Sequence, residues 1–126
     1  MSLSTENNDN SRLALSFDEE AIGTLRKLMG EEQFTDFIQG VINRTEKQLA
    51  DLRAALQERD AEKIHFITHS LKGSMGNIGA TDMSRLAHEL TYDVKNNGIQ
   101  DYTAAHIEQL IEVFEKVKFY FEKEIT

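Results

Sequence analysis

The chain has 126 residues, with 14 basic and 22 acidic side chains and no Cys or Pro. This length suits one domain with its own core, and the lack of Cys excludes disulfides and Cys-ligated zinc. A net charge of −8 opposes binding to nucleic acid and to anionic lipid. There is no apolar run long enough to span a bilayer and no signal segment. We therefore expect a cytoplasmic protein that binds neither nucleic acid nor membrane.

The N-terminal segment 1–14 is rich in Ser, Asn and Asp and has no hydrophobic periodicity. This composition predicts a flexible segment, and its short polar character favours a free-standing protein. The remaining residues, 15–126, are predicted to form a single folded domain. Ser16 and Glu19 match a capping box, with Ser16 as the N-cap. A short first helix should follow and end at Gly30, because Gly is the usual residue just past a helix.

Four longer helices are predicted from apolar residues that recur at spacings of three and four. Asp60 can cap the second of them, and Asn97-Gly98 is a turn before the last. Their approximate bounds are 31–58, 61–76, 81–96 and, for the last, Asp101 or Tyr102 to Glu124. No segment alternates apolar and polar residues as a half-buried strand does. The predicted fold class is all-α, an antiparallel four-helix bundle with a short additional N-terminal helix.

The helix at 61–76 has an unusual outer face. At about 100° per residue its core side is apolar, and consists of Ile64, Ile67, Thr68, Leu71 and Met75. The opposite side holds His65, His69, Lys72, Gly73 and Gly76. Each Gly costs about 0.8–1.0 kcal/mol against Ala inside a helix, and a plain solvent-exposed face gives no reason for that cost. Glycines that clear space beside an imidazole would let another protein approach closely.

His69 and Lys72 have the chemistry for phosphoryl transfer. A neutral imidazole nitrogen is a nucleophile and can accept a phosphoryl group. Lys72 is three residues further along the same helix and is therefore its neighbour, and its ammonium suits phosphate. An exposed ion pair contributes only about 0.2–1 kcal/mol, so Lys72 should orient and modestly stabilise the phosphate.

The segment from His69 to Ala80 resembles the signature of the histidine phosphotransfer (HPt) family. The matching residues are His69, then Leu71-Lys72-Gly73-Ser74, then Gly79-Ala80 after a short spacer. Leu86-Ala87 and Glu89-Leu90 resemble the family's next helix. The resemblance implies that His69 is phosphorylated, that Lys72 lies beside the phosphate and that Gly73 leaves room for the partner. It also implies a polar residue of the next helix against the imidazole. Thr91 is the nearest match, although it is shorter than the usual Gln, Arg or Glu.

The resemblance also implies the partners. These are response-regulator receiver domains, which bind Mg²⁺ in an acidic pocket, together with a hybrid sensor histidine kinase. The chain has no nucleotide-binding motif, so we expect a phosphoryl carrier rather than an enzyme. We expect no cofactor in the chain itself, and a monomer, since the bundle needs no partner to close its core. The alternative is a non-catalytic helical adaptor that binds or sequesters a receiver domain.

Several neighbours of His69 have more than one interpretation. His65 is four residues before it, a spacing that could bind zinc, but a third ligand such as Glu62 would be needed, and we expect no metal site. We predict instead that His65, Gly76 and Thr91 contact the partner protein. Phe66 either packs against a neighbouring helix or forms an apolar contact for the partner.

Overall fold

A computed structural model describes residues 15–125, and over this range the chain is helical with no strand. The helices are α1 (Glu19–Met29), α2 (Glu31–Gln57), α3 (Ala61–Asn77), α4 (Thr81–Asn97) and α5 (Thr103–Glu124). The predicted longer helices are confirmed to within one or two residues at each end. None of the described helices is long and apolar enough to cross a membrane. The predicted flexible segment at 1–14 lies outside the described residues, so the proposed domain bounds stay a prediction.

The start of α1 corrects the prediction of Ser16 as N-cap. The N-cap is Asp18, whose side chain accepts a hydrogen bond from the backbone N–H of Ala21 at 3.0 Å. Ser16 lies outside the helix because its backbone is used elsewhere. Its N–H donates to Asp82 Oδ2 at 2.6 Å, and its carbonyl accepts from Thr81 Oγ1 at 2.9 Å. These long-range contacts tie the residues before α1 to the beginning of α4.

The hydrophobic core lies where the inner faces of the helices meet. α3 packs most extensively against α4, and further contacts join α2 to α3, α4 to α5, α1 to α2 and α2 to α5. The largest fully buried side chains come from α2, α3, α4, α5 and the α3–α4 turn, and include Phe34, Ile42, Leu52, Ile64, Leu71, Met83, Ile78, Ile107, Phe114 and Phe121. Burying a side chain of this kind contributes about 1.5–3 kcal/mol. This shared core fixes which face of each helix points outward.

Two ion pairs on the surface join α2 to α5. Arg53 Nη2 lies 2.6 Å from Glu108 Oε1, and Lys118 Nζ lies 2.7 Å from Glu46 Oε2. The earlier residue of α2 pairs with the later residue of α5.

The turn between α3 and α4 is held by the residues at the start of α1. Gly79 adopts a φ of +79°, and its carbonyl accepts a hydrogen bond from the N–H of Asp18 at 2.9 Å. A Cβ atom on Gly79 would lie 3.0 Å from Ile22 Cγ1 and 3.1 Å from the Asp18 carbonyl oxygen. The turn therefore requires Gly, both for its left-handed backbone and for the close approach of α1.

Candidate functional site

The inner face of α3 sets the direction in which its outer face points. Ile64, Thr68, Leu71 and Met75 are all 0% exposed, and Ile67 is 6% exposed. This confirms the predicted core side of the helix. Because a helix turns about 100° per residue, the burial of this face directs His69 away from the core.

His69 is exposed on the outer face of α3. Its ring lies parallel to that of His65, with 6.3 Å between the ring centroids and 8° between the ring planes. His65 and Lys72 are each half-buried. Within residues 15–125, neither the imidazole of His69 nor the ammonium of Lys72 makes a hydrogen bond or an ion pair. A nucleophilic ring and a cation on the same surface are thus both available to an incoming group.

The two outer-face glycines of α3 have different surroundings. A Cβ atom at Gly73 would meet no heavy atom within 4 Å outside its own stretch of helix, so the position opens onto solvent. A Cβ atom at Gly76 would lie 3.4 Å from Ser84 Oγ on α4, which is ordinary contact. Ser84 Oγ in turn donates to the Lys72 carbonyl at 2.8 Å. Gly73 therefore provides clearance one turn from His69, whereas Gly76 borders α4.

The exposure of Phe66 rules out one of the two interpretations that the sequence left open. Its side chain is 72% exposed, so it does not pack into the core against a neighbouring helix. An aromatic ring this exposed, three residues before His69, is available to a partner protein. The surrounding stretch of chain is also poor in negative charge, since no Asp or Glu occurs from Lys63 to Thr81.

Thr91 is placed differently from its prediction. Its side chain is buried, at 7% exposure, and its hydroxyl lies 2.7 Å from Thr68 Oγ1 and 2.8 Å from the Ala87 carbonyl. Thr68 Oγ1 lies 2.9 Å from the Ile64 carbonyl, to which it donates. The Thr91 hydroxyl is thus hydrogen-bonded inside the protein and not to the His69 ring, and Thr91 has little surface to offer a partner. The prediction of Thr91 as a partner-binding residue is corrected.

Comparison with known proteins identifies the family. The family model described as Hpt domain matches residues 36–118. The chain belongs to the Hpt family. The crystal structure of histidine-containing phosphotransfer protein B (HptB) from Pseudomonas aeruginosa PAO1 is similar, with a TM-score of 0.82 and 28% sequence identity, over 87% of this chain and 94% of that chain. A search of curated proteins gave no match.

Membership of the Hpt family makes the chain a histidine phosphotransfer protein of phosphorelays. The matched range contains each candidate site residue, from His65 to Thr91. The Hpt chain brings together on one surface the predicted His65, Phe66, His69, Lys72 and Gly73, and places only Thr91 inside. In the part of the chain that the structure describes, no three His, Cys, Asp or Glu side chains are grouped as metal ligands.

The sequence interpretation missed the hydroxyl pair that Thr68 forms with Thr91. Periodicity alone predicts that Thr68 lies in the core, and it says nothing about the partner of the Thr68 hydroxyl. A Thr among apolar core positions does signal a buried hydrogen bond, since a buried hydroxyl is costly without a partner. The identity of that partner depends on how α3 and α4 pack.

Proposed function

We propose that His69 is the residue of this phosphotransfer protein that carries the phosphoryl group, between aspartates of response-regulator receiver domains. One observation carries the proposal: His69 is exposed on a helix whose inner face is buried, with open space beside it at Gly73. Lys72 lies on the next turn of the same surface and would orient the bound phosphoryl group. The contribution of Lys72 should be modest because the pair is exposed to solvent.

The chemistry requires little from this chain beyond a well-placed nucleophile. A neutral ring nitrogen of His69 attacks the phosphorus of a receiver's aspartyl phosphate. The N–P bond forms as the O–P bond breaks, and the aspartate leaves as a carboxylate with the bonding electron pair. The phosphorylated ring is positively charged until its other nitrogen releases a proton to solvent. The same step in reverse passes the group to a second aspartate. Mg²⁺ and Lys in the receiver would stabilise most of the charge in the transition state, so the chain would act as a carrier and not as a kinase.

The partner would dock over the outer face of α3. Phe66 offers an apolar contact and Gly73 offers clearance, while His65 and Gly76 lie at the edge toward α4. The acid-free stretch from Lys63 to Thr81 suits the acidic pocket of a receiver, because complementary charge favours encounter. We infer a small, transient interface that buries about 1,200 Å² in total, which is near the low end of the range for specific protein–protein interfaces. The partners would include a hybrid sensor histidine kinase. A monomeric state and a cytoplasmic location stay predictions.

We also propose the finer arrangement of the fold, in which α2, α3, α4 and α5 form an antiparallel four-helix bundle. The crossed order of the α2–α5 ion pairs supports it. So does the order of the α3–α4 contacts, in which Thr68 bonds Thr91 and Lys72 bonds Ser84. Distances between spin labels at the helix ends would test the arrangement.

Phosphoryl transfer from a panel of phosphorylated receiver domains tests the role of His69. We expect the wild-type protein and His106→Gln to take an acid-labile, base-stable label, and His69→Gln to take none. His106 is a matched control because it is an exposed His on α5. Binding that is unchanged in His69→Gln, with no transfer to the wild-type protein from any receiver, would contradict the proposal and favour the adaptor interpretation.

A further inference from the structure

His65 has a relation to His69 that nothing in the phosphotransfer signature requires. The two rings are parallel at a centroid distance of 6.3 Å, as expected for side chains four residues apart on one face of a helix. His65 is half-buried, and Lys72 is also half-buried three residues beyond His69. A rotation of about 100° per residue places His65 and Lys72 between His69 and Thr68 on the helix surface, and Thr68 contacts α4. Gly73 leaves the opposite side open.

The ring nitrogens of His65 have no partner inside the protein. Within residues 15–125, the imidazole of His65 makes no hydrogen bond or ion pair, and its ring contact is with His69. The nearest acidic residue on its own helix is Glu62, and the chain then has no further carboxylate until Asp82. A phosphoryl group on His69 would bring negative charge and three acceptor oxygens to a surface with Lys72 and His65 as the flanking donors.

We propose that His65 is a second phosphate-binding residue, whose ring N–H donates a hydrogen bond to the phosphoryl group on His69. Lys72 would contact the same group from the next turn, so the phosphate is held between them while the receiver approaches over Gly73. The contact forms and breaks no covalent bond. This inference rests on the proposed function, because it requires phosphorylated His69.

The proposed hydrogen bond has a distinct kinetic consequence. It stabilises phosphohistidine relative to the aspartyl phosphate of the receiver, and it is present in the isolated phosphorylated protein as well as in the complex. The loss of the donor should therefore shorten the life of the label in the isolated protein and shift the transfer equilibrium toward the receiver. A residue that only contacts the docked partner would change the rate of transfer but would not change the lifetime of phosphohistidine in the isolated protein.

The test compares His65→Leu, His65→Gln and His106→Leu with the wild-type protein. Each is phosphorylated from one receiver domain, separated from it, and followed for loss of the label at a fixed pH. His65→Leu should shorten the lifetime by up to about fivefold, the range of an exposed charged contact. His65→Gln keeps an N–H donor and should restore most of the loss. His106→Leu, the matched control on α5, should behave as the wild type does.

Three results would count against a part of this scheme. If His65→Leu and the wild type lose the label equally fast, His65 does not hold the phosphate. If His65→Leu changes the transfer rate but not the lifetime, His65 is a docking contact and the inference is overturned. A wild-type protein that takes no label contradicts the role of His69 itself, which separates failure of the proposed function from failure of this inference.

Discussion

Gly73 and Gly79 lie six positions apart and serve opposite purposes. Gly73 is in the middle of α3, and a Cβ atom there would touch nothing within 4 Å beyond its own helix. Gly79 is in the turn after α3 with a φ of +79°, and a Cβ atom there would lie 3.0 Å from Ile22. The first glycine weakens a helix and leaves room outside the protein. The second allows the turn and the close packing of α1. Thus the region around Gly79 serves the fold, whereas the open space around Gly73 is where we propose that the partner docks.

The largest expected effect is on stability, from Gly79→Ala. A non-Gly residue with this backbone conformation costs about 1–3 kcal/mol, and the close contacts with Ile22 and Asp18 add to it. We expect the free energy of unfolding to fall by about 2–4 kcal/mol in total, measured by urea denaturation. Gly98→Ala is the control for a positive φ without close contacts, because Gly98 has a φ of 72° and nothing lies within 4 Å of a Cβ atom there. Equal losses in the two variants would show that the contact with α1 is unimportant.

For Gly73 we expect a gain in stability from Ala and slower phosphoryl transfer from Leu, in contrast with the loss of stability expected at Gly79. Gly73→Ala should raise the free energy of unfolding by about 0.8–1.0 kcal/mol, since Ala is the better helix former. Gly73→Leu should slow phosphoryl transfer by about tenfold, equivalent to about 1.4 kcal/mol at the transition state, because the side chain enters the space of the partner. Unfolding and transfer would be measured on the same samples. Transfer that is unaffected by Leu would mean that the partner does not approach over Gly73.

Thr91→Val tests whether the buried hydroxyl pair belongs to the fold. The variant leaves Thr68 without the hydrogen bond from Thr91, and we expect a loss of about 1 kcal/mol in the free energy of unfolding. Thr24→Val is a matched control, since the exposed Thr24 hydroxyl bonds only the carbonyl of Glu20 in its own helix. A loss no greater than that of Thr24→Val would argue against a stabilising contact between α3 and α4.

The smallest effect concerns pH and the α2–α5 surface. The hydrogen bond from Arg53 lowers the pKa of Glu108 below its usual range, and the charge of Arg53 acts in the same direction. Because the pKa of Glu108 is lowered in the folded state, the pair stabilises the protein at pH values above the unfolded-state pKa of Glu108. This contribution is lost as the pH falls through the lowered pKa. An NMR titration should show the midpoint of Glu108 rising in Arg53→Gln. A midpoint that does not move would contradict the pairing, while phosphoryl transfer at neutral pH should be the same in both proteins.

Much of the fold could be predicted from the sequence because helix periodicity is local. The stripe of apolar residues on α3 predicted which of its faces is buried, and all five of those residues are buried. By exclusion, the same periodicity predicted that His69, Gly73 and Gly76 are exposed, as they are. The short signature from His69 to Ala80 pointed to the phosphotransfer family, to which the chain belongs.

Only the tertiary structure decided the features that depend on contacts between distant residues. Ser16 matched a helix cap locally, but its backbone bonds α4, and Asp18 caps the helix instead. Thr91 was expected beside His69, but the packing of α4 on α3 turns its hydroxyl toward Thr68. Local spacing determines the face of a helix on which a residue lies. The register and rotation of one helix against another decide which group that residue meets, and these depend on the whole core.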